Sequence, residues 1–161
     1  MRAGLLAHVF EGAPVQLVCR FALAALFFYA ALPKIADPAA FAKDIANYRL
    51  LPESLVNALA VTLPFIELVM AVLLVVGIGS RGAALLCTLL LLVFTGATAA
   101  AVYRGLDIEC GCFGKSEGAR VGWGIVARDC AFLVPALVVT LFDRGRYGLL
   151  PRKRRGAREC E

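Results

Sequence analysis

A single histidine, His8, stands in a chain of 161 residues, close to the N-terminus. That scarcity removes histidine-based catalytic triads and His-rich metal sites from the rest of the sequence. His8 itself reads as a solvated terminal residue. No glycine-rich phosphate loop is present, so the usual nucleotide-cradling signature is missing too. Neither an internal repeat nor a low-complexity segment is evident. No cleavable signal is expected either. His8 and Glu11 interrupt the first apolar stretch and no small-residue cleavage site follows it, so the first span is expected to be retained.

What the chain has in excess is apolar surface. Hydrophobic residues make up 61% of it, well above the share in an ordinary soluble domain. A water-soluble protein of this size could not hide so much inside one core. The solvent for most of the chain is therefore lipid. The net charge of +5 comes from a basic tail containing Arg144, Arg146, Arg152, Lys153, Arg154, Arg155 and Arg158. Such a run sets membrane topology and can touch anionic lipid; without interleaved aromatics it does not read as a nucleic-acid surface. The expected organisation is a transmembrane domain over residues 1–143 and a basic tail over residues 144–161.

A membrane-crossing helix needs about 20 largely apolar residues. Val15–Leu32, Leu55–Gly77, Ala83–Tyr103 and Val121–Phe142 qualify, and lipid leaves helices as the sensible form for them. The expected fold class is all-α: a polytopic four-helix bundle with both termini on one side. The basic tail, with Arg81 in the tight turn between the second and third spans, places that side in the cytoplasm. The loops Pro33–Ser54 and Arg104–Arg120 then face outward. In the first of them, Asp37-Pro38 marks a helix start, and Phe41, Ile45 and Tyr48 share one face. Pro38–Leu50 is thus expected to be a short interfacial helix packing on the end of the bundle.

The second outer loop carries Cys110-Gly111-Cys112-Phe113-Gly114. Two thiols one glycine apart can form a disulfide, share a soft metal, or exchange electrons with another thiol pair. On the outer side of the membrane disulfide chemistry is permitted. The pair can be bridged if the chain bends, which Gly111 makes easy. The small ring should be strained and readily exchanged. It would constrain almost no unfolded chain, so a redox role fits better than a staple. Lys115 favours the thiolate, while Glu109 and Glu117 oppose it. Soft-metal handling and a structural turn stay open, although the loop has no third soft ligand for a closed zinc site. Cys19, Cys87 and Cys160 read as small apolar residues or reduced thiols, and Cys130, mid-membrane on the fourth span, as a core residue in preference to a relay thiol below the outer pair.

Charge inside the spans is the second signal, because such residues are costly and usually face the interior. Glu67 lies near the middle of span two, Arg128-Asp129 in span four and Arg20 at the inner end of span one. Counted by helical rise, Glu67 and Arg128 reach similar depth. A Glu67–Arg128 pair is expected, fixing helix register or forming a polar floor beneath the thiol loop.

Several stretches, in order, resemble the MauE branch of the DoxX-like membrane proteins. They are Pro33-Lys34-Ile35-Ala36-Asp37-Pro38 with Phe41, Asn47-Tyr48-Arg49-Leu50-Leu51-Pro52, and Leu63-Pro64 with Glu67-Leu68. Gly79-Ser80-Arg81, the CGCFG segment and Arg128-Asp129 complete the set. The resemblance covers about Arg20 to Phe142. One departure is Ala31-Leu32-Pro33, where many relatives have a glycine. The resemblance implies a four-helix inner-membrane protein of redox maturation, with thioredoxin-like partners and a link to methylamine dehydrogenase, whose small subunit is rich in disulfides. By the same resemblance Cys110 and Cys112 are the exchanging pair, and Lys34, Glu67 and Arg128 are polar residues of the bundle. The expected function is exchange between a periplasmic Cys110–Cys112 disulfide and a partner thiol. No cofactor is evident; a quinone acceptor has precedent in other four-helix thiol oxidases, but no residue marks a site for one. The rival readings are a soft-metal or transport protein using the CGC loop and a non-catalytic assembly subunit.

Overall fold

The computed structural model describes residues 12–108 and 120–143. The elements, in chain order, are α1 (Ala13–Ala36), α2 (Pro38–Asn47), α3 (Glu53–Val76), α4 (Ser80–Tyr103) and α5 (Trp123–Phe142). All are helical, and α1, α3, α4 and α5 are long and apolar enough to cross a membrane. At 1.5 Å per residue they run about 30–36 Å, the thickness of a bilayer's hydrocarbon core.

Each span buries one stripe and shows the rest of its apolar surface outward. On α1 the buried positions are Gln16, Arg20, Leu23, Ala24, Phe27, Ala31 and Lys34, which form one stripe along helical three- and four-residue steps. The core joins Leu23 and Phe27 to Met70 and Leu74 of α3, Ala84 and Cys87 of α4, and Ala136 and Val139 of α5. Alanines at these contacts let the helices approach closely, as lipid-embedded bundles require. Facing away are Val18, Phe65, Val69, Leu92, Val93 and Leu141, each more than half exposed. A water-soluble fold could not leave such a belt uncovered. The chain is a multi-pass membrane protein.

One end of the bundle is closed by polar contacts. Gly77 (φ +80°) ends α3 in the left-handed region, its N–H donating to the Leu73 carbonyl at 2.8 Å, and Gly79 (φ +59°) starts α4. Only glycine adopts that conformation without steric cost. Beside this turn the Ser80 hydroxyl donates to the Asp143 carboxylate, both side chains being buried. Arg81 Nε donates to the Thr140 carbonyl at 2.9 Å and Arg20 Nη2 to the Val75 carbonyl at 3.3 Å. The beginning of α1, the α3–α4 turn and the end of α5 therefore gather at this hairpin end.

Three features differ from the sequence reading. The first span does not stop at Leu32; α1 continues through Pro33 to Ala36. Pro33 loses its own backbone bond, but its carbonyl accepts from the Asp37 N–H at 3.1 Å, which completes the turn. The interfacial helix ends at Asn47 and not Leu50. Arg49 there takes φ +52°, a left-handed conformation that interrupts a helix before Pro52 can. The start of α2 matches the Asp37-Pro38 signal, with Asp37 Oδ1 accepting from the Ala40 N–H at 2.8 Å. Cys130 is exposed on the lipid side of α5 and is not a core residue. Asp129, one helical step of 100° away, takes the buried face.

Candidate functional site

The buried stripes of α1 and α3 bring two charges together. Lys34 Nζ donates to Glu67 Oε1 at 2.7 Å and to Oε2 at 2.9 Å, with the two side chains 3% and 2% exposed. Glu67 lies about 21 Å along α3 from Glu53 and about 14 Å from Val76 at the helical rise, so the pair sits deep in the bundle. Two rings complete the enclosure. Phe41, buried on α2, has its centroid 4.9 Å from Nζ, and Phe94 of α4 lies at 5.2 Å. Both distances suit a cation–π contact. α2 thus covers the end of α1 like a lid, held there by Phe41 packing against Ala60 and Leu63 of α3. The Arg104 guanidinium, donating to the Tyr48 carbonyl at 3.1 Å, ties the far end of α2 to α4.

This arrangement replaces the expected Glu67–Arg128 pair. The ion pair of Glu67 is with Lys34, and Arg128 turns to its own neighbour: its Nε and Nη2 donate to Asp129 Oδ1 at 3.1 and 3.0 Å. The reason is the extra helical turn after Pro33, which carries Lys34 into the interior ahead of any residue on α5. Arg128 and Asp129 are still close by. They line a crevice of about 50 Å³ together with Lys34, Glu67, Phe94 and Phe132. Asp129 Oδ2 is fully buried and has no hydrogen-bond partner among the described residues. Two cations and two carboxylates are thus concentrated at one level of a membrane bundle, where charge is expensive and usually marks function.

The sequence marks Lys34 only through family resemblance. A direct signal exists, because Lys34 extends the Gln16–Arg20–Leu23–Phe27–Ala31 stripe by one step. Of the cysteines described, Cys87 is buried with its Sγ 3.9 Å from Met70 Sδ, and Cys19 is partly buried. Among the described residues no three His, Cys, Asp or Glu side chains are grouped to hold a metal. Cys110, Cys112, Lys115 and Cys160 lie outside the described residues.

The base of the Cys110/Cys112 segment is described. The Val121 N–H donates to the Ile108 carbonyl at 2.9 Å, and Arg120 Nη1 pairs with Asp107 Oδ2 at 3.0 Å. Both flanks of residues 109–119 therefore leave the bundle at one point, between α4 and α5. The ion pair is open to solvent and worth little by itself; the backbone bond fixes the stem.

An all-helical membrane bundle with a charged interior defines the class. The family model of the methylamine utilisation protein MauE matches residues 13–142, and the chain belongs to that family. It is 38% identical over 121 residues to the methylamine utilization protein MauE of Paracoccus denitrificans, covering 74% of this chain and 65% of the relative. To the protein of the same name from Paracoccus versutus it is 36% identical over 135 residues, covering 83% and 69%. The Methylorubrum extorquens protein is 36% identical over 108 residues, covering 66% and 58%. The chain thus spans about two thirds of these relatives' length or less. No solved structure matches it.

Proposed function

We propose that this protein is a thiol-disulfide exchange protein of the bacterial inner membrane, serving the maturation of a periplasmic enzyme such as methylamine dehydrogenase. Both termini lie in the cytoplasm and the Cys110/Cys112 segment in the periplasm. The observation that supports the reading is the hydrogen bond between Val121 and Ile108, which joins the two flanks of the stretch whose sequence holds both cysteines. The relatives' role in methylamine utilisation supports the choice of pathway. In the reaction, a partner thiolate attacks one sulfur of the Cys110–Cys112 disulfide. That S–S bond breaks, one cysteine leaves as thiolate, and a mixed disulfide forms. The partner's second thiolate then attacks the mixed disulfide. The partner ends oxidised and Cys110 and Cys112 end reduced, two electrons having passed between the pairs. A thioredoxin-like protein fits the role of partner. Lys34, Glu67, Arg128 and Asp129 hold the helices beneath the stem in register.

Alkylation of intact cells with a membrane-impermeant maleimide, before and after reduction, tests sidedness and redox state together. Cys110 and Cys112 should label only after reduction. Labelling from the cytoplasmic side alone overturns the topology. A Cys110→Ser, Cys112→Ser variant that still supports maturation of the periplasmic enzyme overturns exchange.

A further inference from the structure

The four spans do not close on one another evenly. Near the hairpin end, Met70, Ala71 and Leu74 of α3 pack directly on Ala83, Ala84 and Cys87 of α4. Further along, the same two helices part around a fissure of about 260 Å³ that α2 roofs. Its walls include Leu63 of α3, Leu90, Val93 and Phe94 of α4, and Phe41 and Ile45 of α2. Asp44 of α2 and Tyr48 just after it also line the fissure but turn almost no polar surface inward, so the surface is almost wholly carbon. Leu63 and Val93 each lie about 15 Å from the loop-side ends of their helices at the helical rise, so the fissure is at hydrocarbon depth. Val93 on its rim is 67% exposed and continues the outward belt of Val61, Leu89 and Leu92. The opening therefore faces lipid.

The occupant follows from what the walls cannot satisfy. Water needs two to four polar partners, and the walls offer almost none. A peptide segment would bring backbone N–H and C=O groups that nothing there could bond. A second helix, about 10–12 Å across, is too thick to enter. What remains is a slender chain without polar groups. We propose that the fissure between α3 and α4 binds one acyl chain of a bilayer phospholipid, which enters sideways from the membrane and ends against Phe41 and Phe94. Those are the two rings that flank the Lys34 ammonium. The bound chain backs the two rings that enclose the Lys34–Glu67 pair and props α2 over it.

The test uses the full chain in nanodiscs made with a phospholipid carrying a diazirine near the end of one acyl chain. After illumination, adducts are mapped by mass spectrometry. They should concentrate several-fold on Leu63, Leu90 and Phe94 relative to the lipid-facing control Leu141 of α5. With the bulk lipid changed to one of methyl-branched chains at the same probe fraction, the straight-chain probe should gain on the fissure, so adducts there rise relative to those at Leu141. Ala97→Phe, which fills the fissure from α4, should remove the adducts at Leu63 and Leu90. The branched-lipid comparison in wild-type protein stands even if that variant fails to fold. Uniform adducts across α3, α4 and α5, an unchanged fissure-to-Leu141 ratio in branched-chain lipid, or survival of the fissure adducts in a folded Ala97→Phe protein would overturn the proposal. So would crosslinks to a second copy, or displacement only by a prenyl chain. A Cys110→Ser, Cys112→Ser variant should label like wild type, which separates this site from the exchange reading.

Discussion

Replacing Glu67 by leucine leaves the Lys34 ammonium at the centre of a membrane bundle without its carboxylate. In the intact protein that carboxylate meets Nζ through two hydrogen bonds of 2.7 and 2.9 Å, with both side chains almost fully enclosed. Removing one member of a buried pair costs about 3–5 kcal/mol, because the survivor stays desolvated and uncompensated. That is roughly a hundred- to several-thousand-fold in the folding equilibrium. The rings of Phe41 and Phe94 remain and offset part of the loss. Lys34→Met should cost a similar amount by stranding Glu67. The double variant Lys34→Met, Glu67→Leu removes both charges at nearly constant volume and should fall within about 2 kcal/mol of wild type. The coupling energy from the cycle should then exceed about 2 kcal/mol, well above the roughly 0.6 kcal/mol typical of hydrogen bonds between membrane helices. Reversible unfolding in mixed micelles titrated with SDS, followed through the single tryptophan Trp123 and by circular dichroism, measures all four proteins. Single variants that cost less than about 1 kcal/mol, or a double variant equal to the sum of the singles, would refute the pairing of these two residues.

Other expectations use the same assay. Gly77→Ala forces a side chain into a left-handed cap at φ +80° and should destabilise by about 1–2 kcal/mol. Gly96, in the interior of α4 with open space where a Cβ would stand, should instead gain about 0.5–1 kcal/mol on change to alanine. Ser80→Ala removes the hydroxyl that donates to the buried Asp143 carboxylate and should cost about 1–3 kcal/mol; a cost near zero would show that contact to be idle. Phe41→Leu keeps the α2 packing but loses one face of the Lys34 enclosure, for about 0.5–2 kcal/mol. Phe41→Tyr, which keeps the ring, should recover most of that loss.

The existence and number of the spans are readable from composition because a bilayer imposes a length and an apolar content on any helix that crosses it. The α2 start is readable from Asp37-Pro38 because a cap is a local interaction. The family is readable from short motifs spread over the chain. Ion-pair partners are not. Glu67 announces itself as a charge in an apolar run, but Lys34 falls just beyond the apolar window, after a proline that usually ends a helix. A depth count therefore selects Arg128. Cys130 is misplaced for a related reason: the sequence puts it within the membrane, and one helical step decides whether such a residue faces protein or lipid.

By itself the sequence determined the solvent, the helical class and the presence of a dithiol between the last two spans, since each follows from local composition and spacing. Only the tertiary structure decided that Lys34 meets Glu67 under a lid of α2, that Arg128 turns to Asp129, and that α3 and α4 part to leave a fissure. Those outcomes depend on the rotation and depth of each helix relative to its neighbours, which are fixed by packing over the whole bundle.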